Sequence, residues 1–226
     1  MIIKDKKRLI VFLLCSVLLV IGILIETRSL TQLVASLFGG SKFNSIFDRI
    51  KFFLPIALII FLSLDYVVYY IKFNYAYTLP RYNDKKKWFN KMIVNLFLLN
   101  LFIIVIFLVI GLMVGTILKV DTSSLFNKIS ILQLIIIYLL YNFITLFQIF
   151  LSIKYGEVIT FIVIITLAII STFINNVLNI ILLLPIGMMV YHKTFLHSIF
   201  AIIFIIFISY ILYRIDLNII KNIDLG

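Results

Sequence analysis

Apolar runs of about eighteen residues or more recur along the whole chain, and they limit its fold more than any other feature. Each is long enough to cross a hydrocarbon layer of roughly 30 Å as a helix, the only open segment that satisfies its own backbone in lipid. A β-barrel would need short strands of alternating polarity, and the sequence has none. Composition agrees: 64% of the residues are hydrophobic, 13% are charged and the mean hydropathy is +1.24. Soluble domains run at roughly 45–50% apolar and about 25% charged. The chain therefore reads as an all-α integral membrane protein, a single domain over residues 1–226.

Six spans are expected, over residues 9–25, 52–71, 92–118, 129–153, 158–174 and 195–213. With the N-terminus in the cytoplasm, thirteen Lys and Arg fall on inner segments: Lys4, Lys6, Lys7, Arg8, Lys72, Arg81, Lys85, Lys86, Lys87, Lys91, Lys154, Arg214 and Lys221. Seven fall outside: Arg28, Lys42, Arg49, Lys51, Lys119, Lys128 and Lys193. The excess of inner cations sets both termini on the cytoplasmic side. Tyr66, Tyr69, Tyr70, Tyr75, Tyr77 and Trp88 supply the aromatic belt of a water interface. The net charge of +11 is carried by short segments flanking the spans, which fits lipid head groups and not nucleic acid.

Two connections have their own patterns. Between spans one and two, Leu30, Leu33, Val34, Leu37 and Phe38 recur at helical spacing before Gly39 and Gly40, as in a short amphipathic helix on the outer surface. Residues 175–194 hold an apolar stretch broken at Pro185 and Gly187. Arms of about nine residues reach roughly 14 Å, half of the hydrocarbon core. An outer re-entrant hairpin between helices five and six is thus favoured over a seventh span.

Catalytic constellations are missing from the sequence. His192 and His197 lack the H-E-x-x-H spacing of a zinc site, and Glu26 and Glu157 lie in different connections. Gly39-Gly40-Ser41-Lys42 is not a phosphate loop, because G-x-x-x-x-G-K-[ST] is absent. Cys15 is the sole cysteine, so no internal disulfide forms. The chain is not expected to be an enzyme, and no cofactor or metal is expected on it.

Polar residues inside the spans are the next candidates. Asp65 is costly at membrane depth and suits a packing or inner-gate role. In span four, Tyr138, Tyr141, Asn142, Thr145, Gln148 and Ser152 fall within an arc of about 120° at 100° per residue. That polar side serves either interhelical hydrogen bonding or the wall of a translocation path or dimer seam. Gly111 and Gly115 form a G-x-x-x-G, which permits close helix packing.

The densest charge lies in the loop 72–91, where Arg81, Tyr82, Asn83, Asp84, Lys85, Lys86, Lys87, Trp88, Phe89 and Lys91 lead into span three. Asn83 or Asp84 suits the cap of the next helix. This order, a basic-aromatic segment, a polar turn, a lysine run and then Trp-Phe before a long span, resembles the first cytoplasmic loop of ABC-2-type transporter permeases. More narrowly, it is similar to small permeases of bacteriocin or toxic-peptide export and self-immunity in Gram-positive bacteria.

The resemblance implies a permease subunit of an ATP-driven exporter in a bacterial cell membrane. Its partners would be a cytosolic ATP-binding subunit and a second permease, in a homo- or heterodimer. Arg81, Tyr82, Asp84, Lys85, Lys86, Lys87 and Trp88 would form the ATPase-coupling loop, with Trp88 and Arg81 as anchors. ATP would be hydrolysed on the partner, and the cargo would be a hydrophobic or amphipathic peptide. Two alternatives stay open: the substrate-binding membrane subunit of an energy-coupling-factor importer, and a non-transporting immunity or sensor protein.

Overall fold

The computed structural model describes residues 6–27, 46–70, 84–119, 128–173 and 195–222. Six helices make up nearly all of them: α1 Lys6–Thr27, α2 Ile46–Val68, α3 Lys85–Ile117, α4 Lys128–Tyr155, α5 Glu157–Phe173 and α6 Phe195–Asn222. No strand occurs among the described residues. Four helices (α1, α3, α4 and α6) are long and apolar enough to cross a membrane, and α2 and α5 are shorter apolar helices. The amphipathic segment expected near Leu30 to Phe38 and the hairpin expected over 175–194 lie outside the described residues.

The helices outrun the apolar runs that announce them. α3 has 33 residues and α6 has 28, or about 50 Å and 42 Å at 1.5 Å per residue. Both exceed a hydrocarbon core of roughly 30 Å. Asp84 fixes where α3 begins: its extended backbone (φ −139°, ψ 110°) and its carboxylate, which accepts from the Lys86 N–H at 2.8 Å, make it the N-cap. Between α4 and α5 only Gly156 is non-helical. Its φ of +84° suits a residue without a Cβ, and its N–H donates to the Ser152 carbonyl as α4 ends.

α4 is the central helix, packed against α2, α3, α5 and α6, while α1 lies on α2 and α3. Contacts fix how the helix ends group. The end of α2 meets the start of α3 through Tyr70 and Trp88, and the start of α3 meets the end of α6 through Asn90 and Tyr213. At the opposite end, Glu26 of α1 pairs with buried Lys51 of α2. The sequence reading places Glu26 and Lys51 in an outer connection, whereas both are helical here. Apolar burial runs between these ends, from Phe12 and Ile23 of α1 through Ile103 and Phe107 of α3 to Ile144 and Ile149 of α4. Phe12 meets Phe107 edge to face at 6.0 Å. Gly111 and Gly115 are both buried, as close helix packing requires.

Candidate functional site

Two groups of polar residues stand out, one at mid-bundle and one where α2, α3 and α6 come together. The central group begins on α4. Asn142, Thr145 and Gln148 recur at i, i+3 and i+6, so they share the side of α4 that faces α2 and α3. All three are buried. A bare amide or hydroxyl there would cost roughly 1–3 kcal/mol, and each finds a partner. The Asn100 amide of α3 donates to Asn142 Oδ1 at 3.0 Å and to Thr145 Oγ1 at 2.8 Å. The Ser63 hydroxyl of α2, with one proton to give, lies within donating distance of both Gln148 Oε1 at 2.7 Å and the Ile59 carbonyl at 2.8 Å. The Thr145 hydroxyl donates to the Tyr141 carbonyl at 2.7 Å. Asn100 Oδ1 is the one oxygen of this set with no hydrogen-bond partner.

This group ties α2, α3 and α4 to one another within a single chain. The flanking members of the stripe, Tyr138 and Ser152, are half-buried, and Ser152 donates to the Ile149 carbonyl of its own helix. Ser63 and Asn100 complete the network from α2 and α3. Asn100 stands alone in the apolar run from Leu96 to Val105, and that isolation is the signal that could have marked it, because a lone amide at membrane depth needs a protein partner. Asp65 belongs to α2, and its side chain lies outside the described residues.

The second group forms where α3 starts. Trp88, Phe89 and Met92 are buried while Lys86, Lys87 and Lys91 are exposed, so the first turns of α3 are amphipathic. Trp88 stacks on Tyr70 at 5.0 Å, and Tyr70 stacks on Tyr66 at 5.4 Å. Tyr66 accepts from the Asn95 amide at 2.9 Å. Trp88 is only 1% exposed: it fastens α3 to α2 and is not turned outward to a partner. On the other flank, Phe89 stacks on Tyr213 at 6.0 Å and the Tyr213 hydroxyl donates to Asn90 Oδ1 at 2.8 Å. Lys85 Nζ donates to the Lys221 carbonyl at 3.0 Å, which satisfies a carbonyl at the open C-terminus of α6. Of the expected loop residues, Asp84 to Trp88 are thus brought together, and Arg81 and Tyr82 lie outside the described residues, as do Pro185 and Gly187.

Asp216 is the residue that sequence reading missed. It lies past the last apolar run, yet it is fully buried, and neither carboxyl oxygen has a hydrogen-bond partner. The available signal was register: Ile205, Leu212, Asp216 and Ile220 continue one helical stripe across the charged end of the run.

No group of three metal-ligating side chains occurs among the described residues. Comparison of the chain with protein-family models, with curated proteins and with solved structures finds no match.

Proposed function

We propose that this chain is the membrane permease subunit of an ATP-driven ABC exporter in a bacterial cell membrane, moving a hydrophobic or amphipathic peptide. In this reading α2 and α5 complete six spans, both termini are cytoplasmic, and a second permease closes the path. ATP is hydrolysed on a separate subunit, which docks at the basic segment entering α3.

One observation carries the reading. The start of α3 offers the exposed amines of Lys86 and Lys87 on one side and is fastened to α2 by the Trp88–Tyr70–Tyr66 stack on the other. A segment that receives force from a partner needs both an exposed charged face and a rigid link to the spans. A lipid anchor needs only the first. Force applied at Lys86 and Lys87 would pass through Trp88 and the Tyr66–Asn95 bond to α2 and α3. The bonds from Ser63 and Asn100 would then carry it to α4. Two discrete arrangements of these helices, biased by the nucleotide state of the partner, would alternate access.

The test is isolation of the tagged full-length chain from its native membrane in a mild non-ionic detergent, with co-isolated proteins identified by mass spectrometry. The expected result is a protein bearing G-x-x-x-x-G-K-[ST], with ATP hydrolysis in the isolated complex. A chain that isolates alone, in every detergent that keeps it folded, would overturn the reading.

A further inference from the structure

We infer that the docking surface is composite: the C-terminal end of α6, through Arg214 and Lys221, extends the basic face of Lys86, Lys87 and Lys91, and its partner is an acidic protein surface. This rests on the function proposed above and adds to it a second element, α6, that the loop alone does not include.

Three observations lead there. The end of α6 is bound to the start of α3 at three points: Phe89 with Tyr213, Asn90 with Tyr213, and Lys85 with the Lys221 carbonyl. The two helix ends therefore form one projection. Next, its charge has a single sign at the surface: Lys86, Lys87, Lys91, Arg214 and Lys221 are exposed, whereas Asp84 is half-buried as a cap and Asp216 is fully buried. Among the described side chains no acid at this end is exposed.

Length then favours protein over lipid as the occupant. The apolar run of α6 ends at Tyr213, and Lys221 lies eight residues further on, about 12 Å along the axis. The head-group layer adds only about 5–8 Å beyond the hydrocarbon. A helix set upright with Tyr213 at the hydrocarbon edge would carry Lys221 past the lipid surface, within reach of an acidic groove of a soluble subunit.

Photo-cross-linking tests this in native membranes with the full chain. A benzophenone amino acid replaces Lys86, Lys221 or, as a control at the other end of α3, Lys119, and adducts are identified by mass spectrometry. The expected result is the same ATP-binding protein at Lys86 and Lys221 and none at Lys119. With the probe at Lys86, the pair Arg214→Glu and Lys221→Glu should lower adduct yield about three- to tenfold, as loss of two charge contacts implies. The Lys85 bond uses the Lys221 backbone, so it persists in these variants; Arg214→Gln with Lys221→Gln should give a smaller loss in the same direction. Lipid adducts alone at Lys221, with the ATP-binding protein still found at Lys86, would overturn the composite surface and leave the proposed function standing. An ATP-binding protein at neither position would overturn both.

Discussion

The middle of the bundle and the end where α3 meets α6 are both polar interruptions in an apolar chain, and they solve the same problem in opposite ways. At the middle, Asn100, Asn142, Thr145, Gln148 and Ser63 bond to one another across three helices and are closed from solvent, with only Asn100 Oδ1 left over among them. At the α3–α6 end, aromatic stacking and backbone carbonyls hold the helices, five cationic side chains face outward, and Asp216 is buried without a partner. A set of bonds made within one chain describes internal fastening. A basic surface with no exposed acid among the described side chains beside it describes a face toward something else.

Substitutions can break this contrast, beginning with the largest effect. Trp88→Ala removes a fully buried indole and its stack on Tyr70, and it should destabilise the protein by about 3–5 kcal/mol. Unfolding in a fixed detergent, followed by intrinsic fluorescence of the tyrosines or by circular dichroism, measures it. A loss under about 1 kcal/mol would mean that Trp88 is not the link between α2 and α3, since surface positions behave that way.

Two further substitutions should have opposite signs, because the Asn100 amide donates two hydrogen bonds and the Asp216 carboxyl makes none. Asp216→Leu replaces a buried carboxyl that has no partner with a side chain of similar size, and it should raise stability by about 1–3 kcal/mol. Asn100→Leu leaves Asn142 Oδ1 and Thr145 Oγ1 without their donor, and it should lower stability by about 1 kcal/mol. Gln148→Leu should cost less, about 0.6 kcal/mol, because the Ser63 proton can turn wholly to the Ile59 carbonyl. Thermal unfolding of the three variants side by side gives the order. If Asp216→Leu destabilises and Asn100→Leu is neutral, the contrast between the two regions is reversed.

The helices were legible in the sequence because hydropathy reports directly on burial in lipid. All six apolar runs became helices, and residue order narrowed the cap of α3 to Asn83 or Asp84, of which Asp84 fills it. Helix ends were less legible, since hydropathy marks where lipid stops and not where the backbone does. The run ending at Tyr213 stops at Arg214, yet α6 continues to Asn222 because lysine, asparagine and aspartate all tolerate a helix whose stripe is still packed. The polar side of α4 was visible from its 3.6-residue period, but not what it faced. Periodicity gives the direction of a side chain on its own helix, and only packing says whether Asn100, a second copy or a water-filled path lies opposite. Trp88 illustrates the same limit: its position beside three lysines suggests an outward anchor, and its place one turn before Met92 puts it inside.

Every step of the docking account requires that the joined ends of α3 and α6 face the cytosol. Single cysteines at the two exposed ends of α3, Lys86→Cys and Lys119→Cys, test this in a Cys15→Ser background with a membrane-impermeant thiol reagent on intact cells. The account predicts labelling of Lys119→Cys in intact cells and of Lys86→Cys only after permeabilisation. Labelling of Lys86→Cys in intact cells, with Lys119→Cys protected until permeabilisation, would place the basic end outside and contradict it.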